Sequence, residues 1–170
     1  MRKQILLALA FVLLLAGAAA AQKSFYNKEF KFGFKSPVGT KLKTDADSLF
    51  ASDPLKAIVN VELTNPGRGL FDAEATISAA QITKDACDAL STADDKPTKK
   101  KFGTNTFEMT EEIEGGMESV HPQEFYRTFH NGVCYEVRII VGMEKYPKRR
   151  VSERPAFERM YAILRTFYFK

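Results

Sequence analysis

Residues 128–142, TFHNGVCYEVRIIVG, decide how the fold is read, because they place two apolar runs on either side of a two-residue turn. Asn131 and Gly132 are the residue types that a type I′ hairpin turn requires, since both readily adopt positive φ. A turn at these two positions sets Arg127 directly opposite Glu136, which is a favourable cross-strand pair. The stretch therefore predicts an antiparallel hairpin with a fixed register.

This register gives the hairpin two faces that differ in character. The first face carries Tyr126, Thr128, His130, Val133, Tyr135, Val137, Ile139 and Val141, and the second carries Phe125, Arg127, Phe129, Cys134, Glu136, Arg138 and Ile140. His130 and Cys134 point to opposite sides, so they cannot form a thiol–imidazole catalytic pair. His121 remains a distant candidate partner for the thiol, in an acidic, glycine-rich segment.

The two cysteines of the chain, Cys87 and Cys134, leave two alternatives open. An exported chain with two cysteines usually oxidises them, and a disulfide closing a loop of about 47 residues contributes on the order of 3–4 kcal/mol. Two separately buried thiols are the alternative, because the helix predicted around Cys87 would have to lie over the less apolar face of the hairpin.

The first residues have the pattern of a cleaved signal peptide. Residues 1–21 combine a positively charged start, an apolar run over residues 5–15 and small residues before Ala21. The apolar run is about eleven residues long, whereas a membrane-spanning helix needs about 20. We therefore predict cleavage near Ala21, a bacterial periplasmic or secreted protein, and a single domain over residues 22–170.

Charge argues against a nucleic-acid-binding protein. Without residues 1–21 the chain keeps 23 basic and 21 acidic residues, so its net charge is +2 in place of +4. Residues 96–101 and 144–150 form two short basic runs that contain proline and predict solvated loops. A weak contact with an anionic surface would use the cations of these runs, which are Lys99, Lys100, Lys101, Lys148, Arg149 and Arg150.

Alternation of apolar and polar residues predicts further strands. It occurs at Phe30, Phe32 and Phe34, over residues 57–64, and over residues 102–109, where it indicates a strand pair or one bent strand. Residues 65–69, NPGRG, are typical of a loop. Residues 111–123 are acidic and interrupted by glycine, so we expect a loop there as well.

Two segments predict helices. The first is the alanine-rich stretch over residues 73–90, with Asp72 as its N-cap and Cys87 on its buried stripe. The second begins near Ala156, and residues 166–169 follow it as a short strand or extended arm. The order β-β-α-β-β-β-α-β predicts an α+β domain with a mostly antiparallel sheet and helices packed on it.

Two stretches resemble the PsbP/Mog1-like superfamily. Residues 30–42, FKFGFKSPVGTKL, are similar to its aromatic-Gly-aromatic strand followed by Pro-x-Gly, and residues 156–169 are similar to its last helix and strand. Thr40 stands where that group often has tryptophan. The resemblance implies an α/β/α sandwich that serves as a binding or accessory module. It assigns no functional residue, because the group shares a fold more than a site.

No motif in the sequence assigns a catalytic, cofactor-binding or metal-binding residue. His121 and His130 lie nine residues apart, which matches no common metal-ligand spacing. Residues 111–119 lack the alternating Asp/Asn pattern of a calcium loop. Neither a nucleophile elbow nor a dinucleotide-binding glycine pattern occurs.

The first functional hypothesis is therefore an exported, non-enzymatic binding or accessory module that takes an unknown protein or a small apolar ligand. The second is an envelope hydrolase or a thiol/redox protein that uses Cys134 or a histidine. The third is a structural envelope protein that contacts anionic lipid or cell wall through the two basic runs.

Overall fold

A computed structural model describes residues 22–44, 51–90, 96–116, 118–146 and 151–170. The predicted signal peptide and the cations Lys148, Arg149 and Arg150 lie outside these ranges, and the single-domain boundary at residue 22 stays a prediction. None of the helices in the described ranges has the length and hydropathy needed to cross a membrane.

The described residues form ten strands and two helices. The strands are β1 (Ser24–Asn27), β2 (Phe32–Lys35), β3 (Thr40–Lys43), β4 (Lys56–Leu63), β5 (Leu70–Gln81), β6 (Thr98–Phe102), β7 (Asn105–Gly115), β8 (Ser119–His130), β9 (Val133–Glu144) and β10 (Tyr168–Phe169). The helices are α1 (Lys84–Asp88) and α2 (Arg154–Thr166). A large antiparallel sheet has the order β3-β4-β5-β9-β8-β7-β6, and a small one has the order β1-β2-β10.

The β8–β9 hairpin has the predicted register. His130 lies opposite Val133 and Arg127 lies opposite Glu136. Asn131 has a φ of 49° and Gly132 a φ of 79°, as the type I′ turn requires. β9 also pairs with β5, so this hairpin occupies the middle of the large sheet.

One side of the large sheet, here called the apolar face, forms the main core. Helix α2 and the small sheet pack on it and bury its central side chains. The strand residues of this face include Val59, Val61, Ala75, Ile77, Tyr126, Tyr135, Val137 and Ile139. Phe32 of the small sheet stacks on Phe167, which follows α2, at a ring-centroid distance of 5.2 Å. The last helix and the short strand after it are thus confirmed.

The opposite side of the sheet, here called the polar face, is covered at one end by α1 and the segment around Leu55. A disulfide joins Cys87 of α1 to Cys134 of β9, with 5.6 Å between their Cα atoms. Leu55 and Phe129 pack beside this disulfide in a small second core. A cross-link over 47 residues stabilises the fold mainly by restricting the unfolded chain.

The long helix predicted over residues 73–90 is wrong. Strand β5 occupies the first half of that stretch, and α1 covers five residues capped by Thr83, whose hydroxyl accepts from the Ala86 amide at 3.2 Å. Pairing with β4 and β9 on both sides outweighs the helix propensity of the alanines. Asp72 is therefore a strand residue and not a helix cap.

Two predicted loops are also strands. β7 extends to Gly115 and β8 begins at Ser119, so most of residues 111–123 are paired. The basic run over residues 96–101 includes most of β6, an exposed edge strand in which lysines discourage pairing with other chains. Among the described residues, the helix on the polar face is the five-residue α1. The fold is therefore dominated by sheet and fits an α/β/α sandwich only loosely.

Candidate functional site on the polar face

The polar face carries hydrogen-bonding side chains at positions where a second core would be expected. They lie on the central strands β4, β5, β8 and β9, and most of them are buried. They are Asn60, Glu74, Thr76, Gln123, Glu136 and Arg138. Buried polar groups are normally satisfied by partners, so the hydrogen bonds of each of them define the site.

A groove of about 830 Å³ runs along the part of this face that α1 leaves uncovered. Its first wall consists of residues from β3, β4 and β5, and its second wall of residues from β7, β8 and β9. The volume lies within the range of small-molecule sites. The side chains that matter most for its chemistry are Asn60, Asp72, Glu74, Glu114, His121 and Arg138.

The first wall is rich in hydrogen-bond acceptors. The Asn60 side-chain amide donates from Nδ2 to Glu74 Oε2 at 3.0 Å and to Thr76 Oγ1 at 3.2 Å. Its Oδ1 has no hydrogen-bond partner among the residues described, although Asn60 is only 3% exposed. Because Nδ2 is turned toward β5, Oδ1 faces away from that strand.

A β-bulge positions Asp72 and the residue before it. Leu70 pairs with Met143 and Asp72 pairs with Gly142, so Phe71 is an extra residue in β5. The Gly142 amide donates to Asp72 Oδ1 at 2.9 Å, and a Cβ at position 142 would collide with that oxygen. Bulges of this kind commonly redirect side chains beside functional sites.

The second wall holds a guanidinium group in a fixed position. Arg138 Nε donates to Gln123 Oε1 at 2.8 Å, and Gln123 Nε2 donates to Glu114 Oε2 at 2.7 Å. Arg138 Nη2 lies 3.7 Å from the same Glu114 oxygen, and the guanidinium carbon lies 5.4 Å from the centre of the Phe125 ring. The positive charge of Arg138 is thus already balanced within the wall.

Beyond Ser119 the groove continues as a second cavity of about 560 Å³ toward the ends of the strands. Phe71 and Tyr146 line this part together with Glu118 and Glu144. Phe71 is 54% exposed and Tyr146 is 79% exposed. The groove therefore has a polar section over the middle of the sheet and an aromatic, acidic section at its end.

A buried ion pair separates the groove from the disulfide. Arg127 Nε lies 2.6 Å from Glu136 Oε2, and their side chains are 8% and 1% exposed. Ser52 Oγ donates to the other Glu136 oxygen at 3.3 Å. This pair belongs to the interior of the polar face and does not line the groove.

The candidate catalytic residues of the sequence lie in different surroundings. Cys134 forms the disulfide, and His130 stacks on the Phe169 ring at a centroid distance of 4.3 Å, on the other side of the sheet. His121 is in β8, not in a loop, and lines the groove with its Nε2 3.2 Å from Ser119 Oγ. Over the described residues, no three His, Cys, Asp or Glu side chains are grouped to hold a metal ion.

Sequence reasoning missed Asn60, Asp72, Glu74 and the exposed aromatics of the groove. The reason is the wrong helix, which removed the two acidic residues from any sheet face. The signal was present as the alternation of Glu74, Thr76 and Ser78 with small apolar residues, which is the period of a strand. In β4, Asn60 and Glu62 likewise alternate with Val59, Val61 and Leu63.

Comparisons with known proteins concern the fold. No protein-family model matches the chain, and no curated protein matches it. The structure is similar to a 1.50 Å crystal structure from Bacteroides thetaiotaomicron VPI-5482, with a TM-score of 0.57 and 14% identity over 88% of this chain and 48% of that one. The chain thus spans about half the length of that protein.

A second similar structure is the solution structure of the PsbP protein CyanoP from Synechocystis sp. PCC 6803. It has a TM-score of 0.40 and 11% identity, over 91% of this chain and 95% of that one. This weak likeness is of the same PsbP-like kind as the resemblance in residues 30–42 and 156–169.

Proposed function

We propose that this chain is an exported binding module whose ligand occupies the groove on the polar face. The observation that carries the proposal is the groove of about 830 Å³ on the central strands, lined by charged and amide side chains that hydrogen-bond to one another. Both walls are fixed by hydrogen bonds within the sheet, so little order has to be gained when a ligand binds. The sequence predicted an unknown protein or a small apolar ligand, whereas the charged side chains that line this groove favour a ligand with a polar group.

Export is supported by two observations of different kinds. Residues 1–21 have the charge and hydropathy pattern of a signal peptide. The Cys87–Cys134 disulfide is typical of an oxidising compartment such as the periplasm or the outside of the cell. A binding module in that compartment would work as an accessory to other envelope or secreted components.

The enzymatic alternatives find less support in the geometry. A thiol mechanism needs a free thiolate, and both cysteines are in the disulfide. Ser119 and His121 are within hydrogen-bond distance, but a serine hydrolase also needs a carboxylate to orient the histidine. Glu114, the register partner of His121, is directed to Gln123 and Arg138 instead.

The surface-binding alternative would use the lysines of β6. Alternation along the strand places Lys99 and Lys101 on the side of the polar face and Lys100 on the other side. The three charges therefore do not form one patch. Retention of the protein on anionic vesicles that is lost in the triple Lys→Gln variant would favour this alternative.

Fragment screening by NMR tests the groove directly. Amide resonances of the protein, expressed with its own leader and purified after processing, are followed with a panel of neutral, anionic and cationic fragments. We expect the shift changes of bound fragments to cluster at residues such as Asn60, Glu74 and Gly142. Shift changes that cluster on the apolar side of the molecule, or none at all, would contradict the proposal.

A blocking variant and a matched control complete this test. Ser119 lies where the two sections of the groove meet, so Ser119→Trp should abolish fragment binding by filling it. Ser24→Trp adds the same side chain at an exposed position of β1 and should leave binding unchanged. Equal effects of the two variants would show that the fragments do not bind in the groove.

A further inference from the structure

We propose that the ligand of this groove is an organic cation, with an ammonium or guanidinium group bound by Asp72 and Glu74 and a hydrocarbon part held by Phe71 and Tyr146. This inference rests on the proposed function, because it names the chemical class of ligand for the same groove. Charge, an unsatisfied acceptor and exposed aromatic rings support it independently.

The first argument is the balance of charge in the groove. Five carboxylates line its two sections, namely Asp72, Glu74, Glu114, Glu118 and Glu144. The cations that line it are Lys43 and Arg138, and each is already close to a carboxylate, Lys43 Nζ at 2.7 Å from Glu62 and Arg138 Nη2 at 3.7 Å from Glu114. The excess charge is negative and favours a cationic ligand.

Of these five carboxylates, Asp72 and Glu74 can each accept a further hydrogen bond from a charged donor. Asp72 accepts from the Gly142 amide, and Glu74 accepts from the Asn60 side chain. Both of these donors are neutral, so neither balances the charge of its carboxylate. Lys43 lies near enough to Glu74 to interact with it, but its direct ion pair is with Glu62. A further cation nearby, Lys145, donates to the Gly116 carbonyl at 3.4 Å and lies 5.8 Å from the Tyr146 ring, at the other end of the groove.

The second argument is the acceptor left on Asn60. Its Oδ1 is buried and receives no hydrogen bond from any residue in the described ranges. An unsatisfied buried acceptor is unfavourable, so a site built around one is expected to receive a donor from outside. An ammonium group has three donors and a guanidinium five, so a cation bound by Asp72 and Glu74 has donors left for an acceptor elsewhere in the groove, such as Asn60 Oδ1.

The third argument is the aromatic end of the groove. The bulge in β5 exposes Phe71 where it lines the second section together with Tyr146. Faces of aromatic rings attract cations and also pack on hydrocarbon. An anionic ligand would meet Glu118 and Glu144 beside these rings and would be repelled.

Three probes that differ in one group test the charge requirement. Phenethylamine, 2-phenylethanol and phenylacetate share the aromatic ring and carry a cationic, a neutral and an anionic end. Calorimetry on the processed chain should show the amine binding about tenfold or more tightly than the alcohol, since a charged donor on a carboxylate outweighs a neutral one. Phenylacetate should not bind, and added salt should weaken the binding of the amine.

A charge-removing variant locates the binding. The double change Asp72→Asn and Glu74→Gln keeps an acceptor oxygen for the Gly142 amide and for Asn60, so the fold is retained while both charges are lost. We expect the amine to bind about tenfold or more weakly to this variant. Glu29→Gln, at an exposed turn outside the groove, is the matched control and should have no effect.

The outcomes separate this inference from the proposed function. Equal binding of amine and alcohol, or an amine affinity unchanged in the double variant, would overturn the organic-cation inference. If neutral or anionic fragments map to the groove while the amine does not, the groove remains a binding site and the ligand class is wrong. If no fragment of any class maps to the groove, both proposals fail.

Discussion

The apolar and polar faces of the large sheet are built from the same strands but differ in chemistry, although some side chains of the polar face are as buried as those of the apolar face. On β9, Ile139 is fully buried under α2, whereas Glu136 is 1% exposed on the other side. The first is surrounded by hydrocarbon, and the second is held by Arg127 and Ser52. Burial alone therefore does not distinguish the two faces; the partners of each side chain do.

This difference indicates which face is shaped by stability and which is not. Apolar burial stabilises a fold by roughly 25 cal/mol per Å² removed from water. A buried ion pair loses much of its attraction to desolvation, and apolar residues in its place are often as stable or more so. The buried polar side chains of this face are therefore not explained by stability alone, and the open groove beside them is where we place the ligand.

Breaking the buried ion pair should have the largest effect. Arg127→Met leaves the Glu136 carboxylate buried without its partner, and we expect the free energy of unfolding to fall by about 3–5 kcal/mol. Urea denaturation followed by circular dichroism measures this loss. The exposed pair Arg154–Glu158 is the matched comparison, and Arg154→Met should cost less than about 1 kcal/mol.

Removing both charges of the pair sharpens the same point. Arg127→Met combined with Glu136→Leu leaves no buried charge and should recover most of the stability that Arg127→Met loses. If the double variant is as unstable as the single one, the pair itself stabilises the fold, and the contrast between the two faces is weaker than we argue.

The next prediction compares one buried side chain on each face of the large sheet. Ile139→Ala leaves a cavity in the apolar face and should cost about 3 kcal/mol, within the usual range for such changes. Thr76→Val keeps the side-chain volume in the polar face and removes one of the two acceptors of Asn60, so about 1 kcal/mol is expected. Equal losses, measured by urea denaturation, would show that the polar network contributes as much as the apolar packing.

The sequence predicts the hairpin well because its turn chemistry and side-chain alternation agree. The turn at Asn131 and Gly132 fixes one register, and that register places residues 125–130 and 133–141 on their observed faces. β5 fails for the opposite reason: alanine-rich composition favours a helix locally, and only pairing with β4 and β9 makes it a strand. Local and long-range preferences conflict in β5, and a single sequence shows only the local one.

The candidate groove was less predictable than the fold. Its acidic wall depends on β5 being a strand, and the position of Asp72 depends on a bulge and on Gly142 across the sheet. Neither the bulge nor the pairing of β5 with β9 has a local sequence signature. The disulfide was predictable as one of two alternatives, since the compartment favoured it while the helix geometry inferred for Cys87 did not.

The smallest predicted effect concerns Glu124, a carboxylate at the edge of the apolar face. It accepts hydrogen bonds from Tyr126 at 2.8 Å and from Tyr161 at 2.7 Å. Burial raises the pKa of Glu124 above its ordinary value, and the hydrogen bonds from the two tyrosines oppose this rise. Burial, the largest cause, also raises the pKa of Tyr161 to about 12, so this hydroxyl remains a donor at neutral pH.

The sign of the pH dependence follows from the raised pKa. The folded protein holds the Glu124 proton more tightly than the unfolded chain does, so this group favours folding below the ordinary carboxyl pKa of about 4.3. That contribution is lost as the pH rises through the folded-state pKa.

Glu124→Gln cannot ionise, and its stability relative to the wild type should therefore increase as the pH is raised from about 4 to about 7. Urea denaturation of both proteins at several pH values measures the change, and Glu29→Gln, an exposed carboxylate, should show no such trend. A difference between Glu124→Gln and wild type that does not vary with pH would mean that burial leaves the Glu124 carboxyl unperturbed, and that the apolar face accommodates the charge at its edge without cost.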